Sequence, residues 1–405
     1  MAEGGLRLLV HLVLAQWRRR PLQTLLGATL LALGVATLVF IVSVQGQLSR
    51  QLERDARGVD LVVGAKGSPL QLILSAVYQV DVPTGNVPLA TVASLRGNRL
   101  VAEAIPLALG DSVRGFRIVG TEPALLEFHG ARFAAGGVWS APMQAVIGAQ
   151  VARATGMQVG SEFLGTHGLA EGGAEHTEAR YRVVGVLAPG GSVLDRLVLT
   201  DLASVWRVHE GEALDEEERR VLESERQVTA ILVRYASPLA AAIVPRQVNA
   251  EGGLQAAAPA AEVARLFAVA GVGVDTLRAF AVVLIGAALL ALFITLYGAL
   301  EERRYDLAIL RMLGASPRQV GLLLLLEAWL LAALGWLAGL ALGLAAVAGV
   351  GHWLARERSF TLGLAVPWAE IGGLALVALA VATLAALLPA WRAARMDLAR
   401  TLARQ

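Results

Sequence analysis

Four stretches of this chain carry no Asp, Glu, Lys or Arg at all: residues 21–49, 279–300, 328–355 and 371–391. The hydrocarbon core of a bilayer is about 30 Å thick, and a helix crosses it with about 20 apolar residues. Each stretch, rich in Leu, Ala, Val and Gly, is long enough to span. Residues 133–152 are also uncharged, but Gly136, Gly137, Ser140, Pro142, Gln144 and Gln150 interrupt them, which argues against a fifth span. The composition agrees, since 56% of the 405 residues are hydrophobic, above the roughly 45–50% of a soluble domain.

Charge then orients the spans. Arg7, Arg18, Arg19 and Arg20 precede the first; Arg303, Arg304, Arg311 and Arg318 lie between the second and third; Arg392, Arg395, Arg400 and Arg404 follow the fourth. Short Arg-rich segments belong on the cytoplasmic side, so both termini are expected inside. The loop between spans three and four offers only Arg356 and Arg358, and residues 46–272 hold 24 acidic against 20 basic side chains, so both are expected outside. The net charge of +2 gives no support to nucleic-acid binding. With no cysteine, the outer segment uses no disulfide. An Arg cluster before an apolar run resembles a secretory signal, but a signal's apolar region is about 7–15 residues, and this run is about twice that. An uncleaved span is expected.

The resulting fold class is a polytopic α-helical membrane protein: four transmembrane helices, with a mixed α+β extracytoplasmic domain inserted between helices 1 and 2. The expected boundaries are a cytoplasmic N-terminus 1–20, spans at 21–45, 276–300, 319–351 and 370–391, an outer domain with stalk ends at 46–272, a cytoplasmic loop 301–318, an outer loop 352–369 and a cytoplasmic tail 392–405. The first helix continues beyond the membrane in amphipathic form through Leu48, Leu52 and Ala56, as a stalk over Gln45 to Asp60. Short valine-rich runs closed by glycine, Leu61–Gly64, Arg117–Gly120, Ala145–Gly148 and Tyr181–Gly185, read as strands. Helical patterns cover Ala149–Thr155 and Leu214–Gln227, the charge run Asp215–Glu225 reads as a solvated helix face, and Gly252–Pro259 reads as a flexible stretch.

The most informative segment is the loop between spans two and three. Leu307, Ile309, Leu310 and Leu313 sit among Tyr305, Asp306 and Arg311 at helical spacing, and Gly314 is a favoured stop. Ser316 is placed to cap the next helix, with Pro317 in its first turn. Such a helix under the membrane could serve only as an interfacial anchor. Yet the charged run, the small apolar helix and Gly314-Ala315-Ser316 resemble the signature of the FtsX/MacB-like permeases, type VII ABC transporter subunits. Pro389 to Leu402 resembles the family's tail, and Leu61–Leu70 and Tyr181–Leu187 resemble stretches of the MacB-like periplasmic core domain.

The resemblance implies a non-catalytic subunit of the bacterial inner membrane, in which Tyr305, Asp306, Leu307, Ile309, Leu310, Arg311, Leu313, Gly314 and Ala315 couple to an ABC ATPase. It further implies two ATPase copies, a second permease copy or homologue, and mechanotransmission to the outer domains. A periplasmic adaptor or substrate-binding protein is a further partner of this kind. Alternatives within the fold are lipoprotein release and FtsX-like control of periplasmic enzymes; a membrane receptor without an ATPase is a different class. The chain has no Walker A pattern, because Gly64-Ala65-Lys66-Gly67-Ser68 lacks its spacing and ending. ATP and Mg are therefore expected on a partner chain, with no cofactor on this one.

Three further features draw notice. Glu327 falls about two turns into the third span, where an acid is costly and by default a functional candidate; an interfacial carboxylate bonded to a neighbouring helix is the plainer reading. Gly335, Gly339 and Gly343 recur every four residues, a stripe suited to close helix packing. His167 and His176 flank Glu171 and Glu175 in a glycine-rich stretch, a candidate zinc site without the tight spacing of known ones. No nucleophile elbow, HExxH or paired-carboxylate motif frames a catalytic site.

Overall fold

The computed structural model describes residues 17, 21–167, 175–210, 216–302, 304–356 and 368–395. It divides into two compact units, one within Met1–Leu48 and Ala270–Gln405, the other within Ser49–Val269.

Helix α1 (Pro21–Asp55) is followed by β1 (Leu61–Ala65), α2 (Pro69–Ala76), β2 (Val87–Pro88), α3 (Ala90–Gly97), β3 (Val101–Val113) and β4 (Phe116–Thr121). Next come α4 (Ala124–Phe128), β5 (Phe133–Gly136), β6 (Gln144–Ile147), α5 (Ala149–Thr155), β7 (Glu162–His167) and β8 (Glu175–Leu187). A 3-10 turn (Val193–Arg196) leads into β9 (Val198–Asp201), α6 (Leu202–Glu210), α7 (Glu216–Ser224), β10 (Gln227–Val228), β11 (Ala230–Tyr235), α8 (Ala240–Ala250) and β12 (Leu254–Ala257). Four helices complete the described chain: α9 (Pro259–Glu302), α10 (Arg304–Met312), α11 (Pro317–Arg356) and α12 (Trp368–Ala394).

In the outer unit one sheet runs in the order β12-β1-β11-β3-β4-β9-β6-β8-β5, with β7 pairing both β3 and β8. The uncharged stretch 133–152 accordingly forms β5, β6 and α5 and does not form a membrane helix. Leu61, Val63, Ile231 and Val233 are buried on one stretch of the sheet, and Ile118, Ala145, Val183 and Val198 on another, giving two apolar clusters. The stretch expected to be flexible, Gly252–Pro259, contains strand β12, whose Ala257, Ala256, Gln255 and Leu254 align antiparallel with Val62, Val63, Gly64 and Ala65. Main-chain pairing asks nothing of the small side chains there, and the Gln255 Oε1 accepts from the Gly67 N–H at 2.8 Å. Alanine-rich composition therefore concealed a sheet edge.

The membrane unit contains α1, α9, α11 and α12, the four described helices long and apolar enough to cross a bilayer. Their shared core includes Leu31, Val35, Leu292, Leu296, Leu331 and Ala382. The glycine stripe of α11 lies against α1. A Cβ on Gly335 would stand 3.0 Å from Leu31, on Gly339 2.6 Å from the Ala32 carbonyl oxygen, and on Gly343 2.9 Å from Val39. A Cβ on Gly34 of α1 would meet Ile285 of α9 at 2.8 Å. At one end of this contact Arg278 bonds Gln45 at 2.7 Å and Asp275 at 3.1 Å.

Candidate coupling loop and the anchoring of the first helix

Helix α10 is amphipathic, and the structure sorts its faces. Leu307 is only 4% exposed and packs among Leu300, Val320, Leu324 and Ala393 of its own unit, and the neighbouring Ala308 is also buried. Tyr305, Met312 and Leu313 are exposed, Leu313 at 80%. Ile309, Arg311 and Ala315 are half-buried. The side chains of Asp306 and Leu310 fall outside the described residues. The helix stops because Gly314 takes φ +101°, a conformation side chains resist. Ser316 then caps α11 reciprocally: its Oγ accepts from the Gln319 N–H at 3.3 Å, and its own N–H donates to the Gln319 Oε1 at 2.7 Å. A short helix thus hangs between two membrane helices, seated by one face and bare on the other.

Glu327 is 2% exposed on α11 and sits within the bundle with a polar interaction of its own. Beside the loop, Arg392 donates to the Tyr297 hydroxyl and lies over its ring.

The histidine stretch 168–174, with Glu171, lies outside the described residues, as do the side chains of His167, Glu175 and His176. The backbone places His167 opposite Asp111 at the end of β7, and Thr166 opposite Glu175 in β8. Among the described residues no group of three His, Asp or Glu side chains could hold a metal ion.

A polar knot at the end of α1 went unnoticed in the sequence. Asp55, 0% exposed, accepts from Gln51 Nε2 at 2.9 Å and pairs with Arg196 at 3.2 Å. Arg196 also donates to the Tyr78 carbonyl at 2.9 Å. The Tyr78 hydroxyl donates to the Leu52 carbonyl at 3.4 Å, and Gln51 Nε2 reaches the Gly191 carbonyl at 3.2 Å. Burial pushes the Asp55 carboxyl above its ordinary range, and Arg196 pulls it part of the way back. Burial also raises the Tyr78 hydroxyl, helped by the nearby Asp55 charge. The sequence offered no signal, because Asp55 and Arg196 are 141 positions apart and each reads as an ordinary surface charge.

The loop that joins this knot has a second face. His129, Arg132, Ser192 and Asp195 line a cleft of about 310 Å³. The Asp195 carboxylate is occupied within its own loop, accepting from the Gly190 and Gly191 N–H groups at 2.9 and 2.7 Å. Burial, with the Arg234 charge nearby, lowers the His129 imidazole to about 4, so it is neutral at physiological pH.

A model of the MacB-like periplasmic core domain matches residues 24–251, and one of the FtsX-like permease C-terminal region matches residues 278–398. A comparison with curated proteins gives no match. Among solved structures, the periplasmic region of MacB from Actinobacillus actinomycetemcomitans is similar at 9% identity and a TM-score of 0.34, over 52% of this chain and 95% of that one. The extracellular domain of the noncanonic ABC-type transporter YknZ from Gram-positive bacteria is similar at 11% identity and 0.30, over 49% and 98%. A domain of a putative permease from Porphyromonas gingivalis follows at 15% and 0.28, over 50% and 89%. The two family models occur in sequence order, the first alone spans more than half the chain, and both fall on the architecture just described, so the chain belongs to the FtsX-like permeases of ABC transporters that carry a MacB-like periplasmic core domain.

Proposed function

We propose that this permease receives the ATPase cycle of a separate ABC ATPase subunit through α10 and passes it on as movement of the outer domain. The observation that carries the reading is the two-faced α10: Leu307 packs the helix into its own bundle, while Tyr305, Met312 and Leu313 stand exposed among the described residues. In this scheme the Arg-rich ends lie in the cytoplasm of a bacterium, residues 46–272 outside, and two permease copies work with two ATPases. The product is mechanical work on a substrate outside the membrane, in export or periplasmic extrusion, and the chain itself performs no chemistry.

Leu313→Asp tests the docking. Burying an apolar side chain is worth about 1.5–3 kcal/mol, and a carboxylate without a partner adds a desolvation cost. Association with the ATP-binding protein in detergent extracts should therefore fall at least tenfold, with membrane insertion unchanged. Assembly at wild-type strength and unchanged ATPase activity would sink the assignment. Orientation has its own test in this cysteine-free chain: an impermeant thiol reagent on spheroplasts should label Ser224→Cys and spare Ser316→Cys, and the reverse pattern overturns the topology.

A further inference from the structure

The two helices that connect the outer unit to the rest of the chain are attached to it in different ways. Helix α9 begins after Ala258, directly behind the edge strand β12, and its first turn is held by ordinary main-chain bonds to the Ala258 carbonyl. Among the described residues, no side chain of Pro259–Val269 forms an ion pair or hydrogen bond. Helix α1 ends quite differently. Its last turn is buried at Leu52 and Asp55 and is tied to three other segments: Tyr78 after α2, Gly191 in the loop after β8, and Arg196 at the end of the 3-10 turn.

Arg196 stands two residues ahead of β9, and β9 lies inside the sheet, parallel to β4 through Ile118↔Val198 and antiparallel to β6 through Ile147↔Val198. The turn that carries Arg196 has no room to slide. A Cβ on Gly148 would stand 2.2 Å from the Leu194 carbonyl oxygen and 2.3 Å from that of Asp195, and the Gly148 N–H donates to the Leu197 carbonyl at 2.9 Å. Displacing Arg196 therefore displaces β9, β6 and the start of α5 together. An apolar contact at this point would tolerate sliding, because the hydrophobic effect has no direction. A desolvated ion pair held by further hydrogen bonds has one geometry and is costly to break.

We propose that the Asp55–Arg196 pair is the joint through which displacement of α1 is delivered to β9 in the interior of the sheet, with α9 as the compliant member of the two connections. This deepens the transport reading and rests on it. Asp55 and Arg196 are positioning residues; neither is proposed to touch a substrate.

The test uses the full chain with its ATPase partner in lipid nanodiscs. Spin labels on Ala154→Cys of α5 and His352→Cys of α11 report the distance between them with and without ATP. Asp55→Leu/Arg196→Met removes the joint while keeping apolar bulk, and Glu262→Ala at the start of α9 serves as the comparison. The expected result is an ATP-dependent distance shift that survives Glu262→Ala and falls to less than about a fifth in the double variant. ATPase association and the melting temperature of the double variant should stay at wild-type values, which a general loss of structure would not allow. A full shift in the double variant overturns the joint and leaves the transport reading standing. If ATP moves nothing in the wild type although the ATPase is bound, the transport reading falls and the joint with it. Should the double variant fail to fold, Asp55→Asn, neutral and of the same shape, is read in the same way.

Discussion

In the outer unit, charged side chains are taken out of water and tied to groups far away in sequence; in the membrane unit, the close contacts are made by residues with almost no side chain. Arg117, whose buried guanidinium is pulled below its usual range, donates to the carbonyls of Asp81 at 2.8 Å and Ser75 at 3.4 Å. Asp55 and Arg196 do the same for the end of α1. On α11, by contrast, Gly335, Gly339 and Gly343 bring a backbone against Leu31, Ala32 and Val39. The difference follows from the surroundings. An apolar core formed in water gains its free energy from burial, leaving polar knots to fix the geometry of connections. Between helices in lipid that gain is missing, and close van der Waals contact replaces it.

The contrast can be broken at the outer knot first. Arg196→Met leaves Asp55 buried without its partner and should cost about 3–5 kcal/mol, whereas Asp55→Leu/Arg196→Met should cost little. Thermal melts of the purified chain compare the two, and equal losses would show that packing rather than charge holds the end of α1. A carboxyl raised above its ordinary range regains stability when it is protonated. The gap between Arg196→Met and wild type should therefore narrow as pH falls.

His129 carries the next largest effect, with the opposite sign. Its folded-state value of about 4 lies below the ordinary 6.5, so between those values the unfolded chain binds the proton more readily. Neutral burial is thus a stabilising state above about pH 6.5, lost progressively as pH falls to about 4, by at most about 3 kcal/mol. Melting temperature measured across this window should fall for the wild type and fall less for His129→Phe. Parallel curves would remove His129 from the account of acid sensitivity.

In the membrane unit, Gly339→Leu should cost about 1–3 kcal/mol or more, because its Cβ would collide with the Ala32 carbonyl oxygen at 2.6 Å. Gly349→Leu, with nothing within 4 Å, is the control on the same helix. Unfolding in detergent that leaves both variants alike would deny the stripe its packing role. Smallest in stability is Leu313→Asp, within about 0.5 kcal/mol for so exposed a position, even where the proposed docking predicts a tenfold loss of ATPase association.

Much of the architecture was legible locally. Apolar runs without charge marked the four long helices, and valine-rich runs ending in glycine marked β1, β4, β6 and β8. The stop at Gly314 and the cap at Ser316 were readable because both are chemistry within four residues. The segment after Gly252 was misread, since strand pairing by main chain leaves little trace in an alanine-rich sequence. Leu307 and Leu313 looked alike as members of one apolar helix face; only packing separates the residue that seats the helix from the one left free.

The sequence by itself determined the membrane spans, the inserted domain, the short helix between the second and third spans and the family, because each depends on composition or on short spacing along the chain. The partners of Asp55, the neutrality of His129 and the helix that meets the glycine stripe were decided by the tertiary structure alone. Each depends on which distant segments share a small volume, and a charge or a glycine has no energy of its own to report until those neighbours have removed its water or filled the space beside it.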